Sequence, residues 1–458
     1  MSVIDDTARQ SARPLFIQGG GIITMDPVLG DIVRGDVHVR DGRIAEVGEG
    51  LVPPPDAEVV DARTMIVMPG FIDGHRHLWE GVIRNALPTD DLNDYFKNVN
   101  EGFAQHFRPE DAYLGTLVGA LGAIDAGITT VFDWSHIQSN RDFTRATIAG
   151  LRESGLRTLF AYGPAGRRDI GAQWPEDLLS LKADEFPSND ALVTLALGGL
   201  SPEHVPHAFS ARMFDLARDA DVVISCHAGI NGMGEGGEIL RFAREGRLGP
   251  KVNLVHCNTL NADEWRAIAD TGTTVSVTPS SEMQMGQGVP PIQRALDVGM
   301  KISLGVDVET SLPGDLWTQM RIIYALQRMN AYELHFGGKE RPSVITCDDL
   351  LDYITIAGAR ATAMEDRIGS LSPGKQADIV LLEAKHINVM PVNNMRSAVA
   401  LNMDGRNVDT VMVAGRILKR HGRLLGVDLN ALACRLYDAR DHVFPAFKAE
   451  LPSPVARW

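Results

Sequence analysis

The chain of 458 residues has little cysteine, few aromatic residues and no excess of positive charge. Its four cysteines, Cys226, Cys257, Cys347 and Cys434, form no CxxC pair. Four in so long a chain make no disulfide framework, and a reducing compartment is expected. Lysine and arginine total 44 against 59 acidic residues, a net charge of −15. That balance lacks the electrostatic footprint of a nucleic-acid binder or of a protein bound to anionic membranes. The expected partner is a small molecule, with no nucleic acid and no membrane. No uninterrupted apolar run reaches the ~18 residues of a membrane span. The acidic, polar start MSVIDDTARQSARPLF lacks the apolar stretch of a signal peptide, so a soluble cytoplasmic protein is expected. No GxGxxG or GxxxxGK[ST] loop follows an early strand, and the HxE and PCxxC signatures of the zinc base deaminases are missing.

What is present is globular: 44% hydrophobic and 22% charged residues, with 45 glycines suited to many tight loops. Residues 14–68 read as short strands, with Asp41-Gly42 as a hairpin turn between alternating runs. ADIVLLE, AVALNM, VDTVMVAGRIL and GRLLGV give the other end the same texture. Neither piece alone has enough strands to bury two faces. Residues 1–68 and 372–458 are therefore expected to build one composite β-sandwich domain with a C-terminal tail. Between them, residues 69–371 alternate. Apolar runs ending at His77, Trp134, Gly163, Leu200, His227, Cys257, Pro279 and Asp307 are separated by helical patterns such as AYLGTLVGALGAIDAG and DEWRAIADTG. Eight evenly spaced βα units predict an α/β fold, a (β/α)8 TIM-type barrel. A doubly wound open sheet is the alternative, but it would normally carry the missing glycine-rich loop.

Barrel enzymes place their chemistry at the C-terminal ends of the strands. Here those ends carry His75 and His77 in VMPGFIDGHRH, His227 in VVISCH, His256 in NLVHC and Asp307 in ISLGVD. Residues i and i+2 of a strand share a face, so both imidazoles of the HxH can reach one ion. Imidazole and carboxylate suit zinc, iron or manganese. A lone histidine at a strand end is more often a satisfied polar residue. An HxH, two further strand-end histidines and a strand-eight aspartate form a set, with coincidence at roughly one in ten or less.

The ordered motifs PGFIDGHRH, CHAG, VHCNT and SLGVD, framed by split β-strands, resemble the amidohydrolase superfamily, in particular its cytosine deaminase-like branch with the triazine hydrolases and purine deaminases. The likeness covers nearly the whole chain. The run from HCNTLNADEW through TPSSEMQMGQGVPPIQRALDVGMKISLGVD is similar to that branch's sixth to eighth strands, and AGARATAMEDRIGSLSPGKQADIVLL to its closing helix and return. The resemblance implies one divalent metal ion on His75, His77, His227 and Asp307, with zinc expected first and Fe2+ or Mn2+ as alternatives. His256 would polarise the substrate just beyond it. Water at zinc reaches a pKa near ~7, Asp307 would take its proton, and attack on an electrophilic carbon would expel an amine, or less commonly a halide. The implied activity is hydrolysis of a C–N bond in a small heterocycle: deamination or opening of a cyclic amide or amidine.

One position departs from that pattern. The branch carries a proton-shuttling Glu three residues after the fifth-strand histidine, and here Ile230 stands there. Glu235 or Glu238, in GINGMGEGGE, could replace it, or Asp307 could carry both transfers. The departure also keeps open a metal-retaining barrel with a non-hydrolytic reaction (decarboxylation, elimination or rearrangement). A binding protein with a decayed site is disfavoured by the complete ligand set. Candidate substrate contacts follow the strands: Trp79 and Glu80 after the first, Trp134 and His136 after the second, Arg167 and Arg168 after the third. A pair of arginines could hold a carboxylate or a ring oxygen, although a single loop arginine is usually solvated. A homodimer is the expectation for assembly.

Overall fold

The computed structural model describes residues 3–6, 13–165, 174–231 and 237–447. Eight parallel strands follow one another around a barrel: β1 (Phe71–Arg76), β2 (Ile128–Ser135), β3 (Arg157–Tyr162), β4 (Val193–Gly199), β5 (Val223–Ala228), β6 (Val252–His256), β7 (Thr274–Val277) and β8 (Ser303–Leu304). Every residue of β1 to β4 is buried. A parallel strand has side chains covered on both faces, so these strands show no in-out alternation, and the polar residues they carry, such as Asp73, Thr130 and Arg157, are buried with the apolar ones. Helices including Pro109–Asp125, Arg141–Ser154, His207–Asp219, Ala262–Thr271 and Leu316–Phe336 intervene between or follow the strands.

The barrel closes where its last strand meets its first. The Asp307 N–H donates to the His75 carbonyl and the His77 N–H donates to the Asp307 carbonyl, each at 2.9 Å. Gly305 allows this approach, because a Cβ there would stand 2.7 Å from the His75 carbonyl oxygen. The same closure that seals the sheet therefore sets Asp307 beside the HxH.

The two chain ends share a second sheet of nine strands. Strand Ile379–Glu383 pairs antiparallel with Met65–Pro69, in register from Ile379 opposite Pro69 to Glu383 opposite Met65. The Asp41-Gly42 turn has positive φ at both residues, as a tight hairpin requires. Its tip touches Ala414 and Gly415, which brings the two outer parts of the sheet together over a core of its own, including Ile17, Val37, Ile44, Val67, Ile379 and Met412.

Two segments differ from the sequence expectation. AVALNM, read as a strand, is helical: Met395–Ser397 continues into a wider turn over Ala398–Asn402. Asn394 caps it by accepting from the Ser397 N–H at 2.9 Å, and Val399 and Ala400 bury completely. A six-residue apolar run does not by itself distinguish strand from helix. The last described element is helix Leu429–Phe447, which packs on the helices of the barrel. Phe444 lies 4.9 Å from Phe103 between ring centroids, and Arg435 pairs with Glu110 at 2.8 Å.

A candidate metal centre at the barrel mouth

Strands β1, β5 and β6 and the segment after β8 bring five side chains to one point. His75 Nε2 and His77 Nε2 lie 3.2 and 3.3 Å from Asp307 Oδ1. His227 Nε2 lies 3.2 Å from His75 Nε2. The ligand atoms of His75, His77 and His227 fall within 4.8 Å of one another, as do those of His75, His256 and Asp307. His256 and Asp307 both adopt left-handed backbone, with φ of +74° and +71°. Such conformations cost on the order of 1–3 kcal/mol each and collect at functional sites.

The donor chemistry fits a cation. His77 Nδ1 lies 2.6 Å from the Trp134 carbonyl, which fixes the proton there and turns the Nε2 lone pair toward the Asp307 oxygen. Two lone pairs facing each other need a positive charge between them. Burial pushes His75 down to about 4 and His227 well below its ordinary range, so both imidazoles are neutral, as ligands must be. Burial opposes ionisation of Asp307, yet the close approach of the His75 and His77 imidazoles holds its carboxyl well below the usual range. Ligand atoms on bonds of about 2.0–2.1 Å to one ion stand roughly 3 Å apart, which is the spacing found.

The end of β2 forms one wall. Trp134 packs edge-on to His227 at 4.6 Å and donates through Nε1 to the Ser225 carbonyl. His136 meets the His77 ring at 4.4 Å. Behind them, Trp79 Nε1 reaches His136 Nδ1 at 3.4 Å, His136 Nε2 lies 3.2 Å from the Tyr95 hydroxyl, and that hydroxyl donates to Glu80 Oε1 at 2.5 Å. Glu80 is fully buried, and burial raises its carboxyl to about 8. Trp79 is equally buried and packs on Phe107, one layer behind the histidines.

Ile230, where the resemblance expects a carboxylate, is buried at 3% exposure just past β5. Glu235, Arg167 and Arg168 lie outside the described residues. Glu238 opens helix Glu238–Arg244 and is bound to His207 at 3.0 Å, apart from the histidine cluster. Sequence reading missed Tyr95, Thr278, Ser281 and Glu282, all buried around the site. The stretch TPSSE stood in plain view as part of the family-like run; nothing in periodicity or spacing marks Tyr95.

Fold and mouth together define a barrel hydrolase whose strand ends can hold one metal ion. Residues 66–418 match the model of the amidohydrolase family, and the chain belongs to that family. It is a metal-dependent hydrolase of carbon–nitrogen bonds other than peptide bonds, with a small-molecule substrate. Among curated proteins it is 29% identical to a 5'-deoxyadenosine deaminase of Methanothermobacter thermautotrophicus, over 86% of this chain and 91% of that protein. It is 28% identical to a 5-methylthioadenosine/S-adenosylhomocysteine deaminase of Pyrococcus furiosus, over 90% and 97%. An adenosine deaminase structure from Xanthomonas campestris with bound zinc superposes with a TM-score of 0.80, at 22% identity over 94% of this chain and 98% of that one. Atrazine chlorohydrolase from Arthrobacter aurescens, complexed with zinc, gives 0.79 at 22% identity over 93% and 100%. No helix among the described residues is long and apolar enough to cross a membrane.

Proposed function

We propose that the chain is an aminohydrolase of a small amino-substituted heterocycle, with one zinc ion held by His75, His77, His227 and Asp307. The convergence of those four donors carries the reading, and the deaminase names of the relatives support the substrate class. When bound, the ion supplies Lewis acidity, which brings the pKa of water toward ~7. Asp307 takes the water proton: its carboxylate stays ionised among the imidazoles, and its Oδ2 is fixed by the Ser281 hydroxyl at 2.5 Å. His256 stands beside Asp307 to hold the reacting ring. Trp134 and His136 wall the ring from solvent, with Glu80 behind them. Glu235, Arg167 and Arg168 remain candidates for the proton-shuttle and recognition roles from the neighbouring loops. Fe2+ or Mn2+ would fit the same donors. The rest of the reading is a homodimer working in the cytoplasm, with no nucleic-acid or membrane partner and a composite sheet domain of residues 1–68 and 372–458.

Ile230 is the observation that favours a second reading, non-hydrolytic chemistry on a retained metal. Turnover in ¹⁸O-labelled water, scored with ammonia release across aminopurines, aminopyrimidines, triazines and cyclic amides, separates the two. Label in the product with stoichiometric ammonia is expected. Turnover without either, with solvent exchange controlled, would establish the second reading instead. The purified protein should hold about one equivalent of metal, and His227→Ala should lose most of it while keeping its circular dichroism, because one strand-end ligand is not core packing.

A further inference from the structure

The turn after β7 touches two of the site's groups at once. Glu282 Oε1 accepts the Thr278 N–H at 2.8 Å and lies 3.2 Å from His256 Nδ1. The Thr278 hydroxyl lies 3.1 Å from the same Nδ1 and 2.9 Å from the Ser281 hydroxyl. Ser281 donates in turn to Asp307. Glu282, Thr278 and Ser281 are fully buried, and His256 is at 1% exposure. Among the described residues, Glu282 forms an ion pair with His256 alone, and its second oxygen is buried without a hydrogen-bond partner. A buried carboxylate lacking any lysine or arginine is expensive to keep. Besides the Thr278 N–H, its compensation is an imidazole whose other nitrogen faces the mouth. Meanwhile the fifth strand end, where a carboxylate would be expected, carries a buried isoleucine.

We propose that Glu282 is a positioning residue that restores, through His256, the proton delivery lost at Ile230. It accepts a hydrogen bond from His256 Nδ1 and so turns Nε2 toward the substrate. This rests on the hydrolytic reading above. In the addition step the water oxygen bonds to the ring carbon and one water proton passes to Asp307. The C=N electron pair moves to the ring nitrogen, which takes the Nε2 proton of His256. In the collapse Asp307 gives its proton to the amine as the C–N bond breaks. His256 recovers a proton from the new hydroxyl as the carbonyl forms. Both groups end as they began, and water plus the amino-heterocycle have become ammonia plus the oxo-heterocycle. The Ser281 and Thr278 hydroxyls keep the two proton carriers at fixed spacing throughout.

The test uses the zinc-loaded enzyme and the best amino-heterocycle from the ammonia screen. Glu282→Gln keeps an oxygen acceptor for Nδ1 but removes the charge. It should lower kcat by about 10²-fold or more, with zinc content unchanged and KM within about twofold. Adding Ile230→Glu to that variant should recover at least about tenfold of the loss, which a purely structural role for Glu282 would not allow. Should Glu282→Gln not fold, Glu282→Asp against Glu282→Ser gives the same comparison: the acid should retain more of kcat at equal zinc content. Wild-type kcat in Glu282→Gln, loss that tracks zinc, or equal loss in the acid and the neutral variant would each overturn the proposal. Failure of the hydrolytic reading is distinct: the wild type would then release no ammonia from any ring tested.

Discussion

The barrel mouth and the sheet built from the chain ends treat buried carboxylates in opposite ways. In the sheet, Asp36 accepts from the backbone N–H groups of Gly19 and Leu51, at 2.8 and 3.0 Å. Asp378 takes a two-point pair with Arg157, at 2.6 and 3.0 Å, and the Ala414 N–H at 2.7 Å. These carboxylates are satisfied on the spot, and the surrounding core is apolar. At the barrel mouth, imidazoles and carboxylates face one another, and Glu80 and Glu282 each keep an oxygen with no partner. An unsatisfied buried polar group costs about 1–3 kcal/mol, more if charged. A fold that satisfies its buried acids in one place and leaves them open in another marks where a ligand completes the set.

If the end-built sheet is purely structural, the largest effect comes from cutting it. Ending the chain at residue 371 removes the strand that pairs with Met65–Pro69 and uncovers Val67, Ile17 and Val37. The product should aggregate on size-exclusion chromatography, because an open sheet edge beside an apolar face self-associates. A monodisperse barrel from that truncation would dissolve the comparison. At the mouth the corresponding change is Asp307→Asn. The amide can still ligate weakly but accepts no proton, so turnover should fall by about 10²–10⁴-fold or more while zinc, measured by elemental analysis, stays bound. Activity in the zinc-bearing variant would remove Asp307 from the chemistry.

The barrel was largely legible in the sequence. The expected strand ends at His77, Trp134, Gly163 and His227 fall within one residue of the observed ends at Arg76, Ser135, Tyr162 and Ala228. Doubly buried strands write themselves as apolar runs, and a polar residue closing one is conspicuous. β8 is shorter than its apolar run, ending at Leu304, because the chain leaves the sheet to pair Asp307 with β1. The Tyr95–Glu80–His136 contacts were not legible: they join a segment without hydrophobic period to two strand ends, and pairing across 41 residues leaves no local mark. Arg157 and Asp378, 221 residues apart, are hidden for the same reason.

That last pair ties the two regions together and offers a smaller, graded test. Arg157 stands in β3 and Asp378 next to the strand Ile379–Glu383, both nearly buried. Arg157→Leu leaves the Asp378 charge unpaired inside, which should cost about 3–5 kcal/mol in urea unfolding. Replacing both partners with apolar residues should recover most of that loss. A single-variant cost below about 1 kcal/mol, the value of an exposed pair, would show that the contact is open to water.

The smallest effect should come from Glu203, in the loop after β4, which carries the mouth's pattern of incomplete satisfaction beyond the histidines. Its Oε1 accepts the Gly229 N–H at 3.3 Å, and its Oε2 is buried with no partner. Burial raises its carboxyl from 4.5 to about 7, against the smaller opposing effect of backbone hydrogen bonds. Between those two values the folded chain holds a proton that the unfolded chain has released, so stability falls as pH rises through that window. Glu203→Gln keeps the acceptor for Gly229 and has no proton to lose. Its unfolding midpoint should therefore decline less than the wild type's between about pH 5 and pH 8, with the two curves closest at the acidic end. Parallel curves would mean that water reaches Glu203 and satisfies it, as backbone N–H groups satisfy Asp36 in the sheet, and the contrast between the two regions would then end at the histidine cluster.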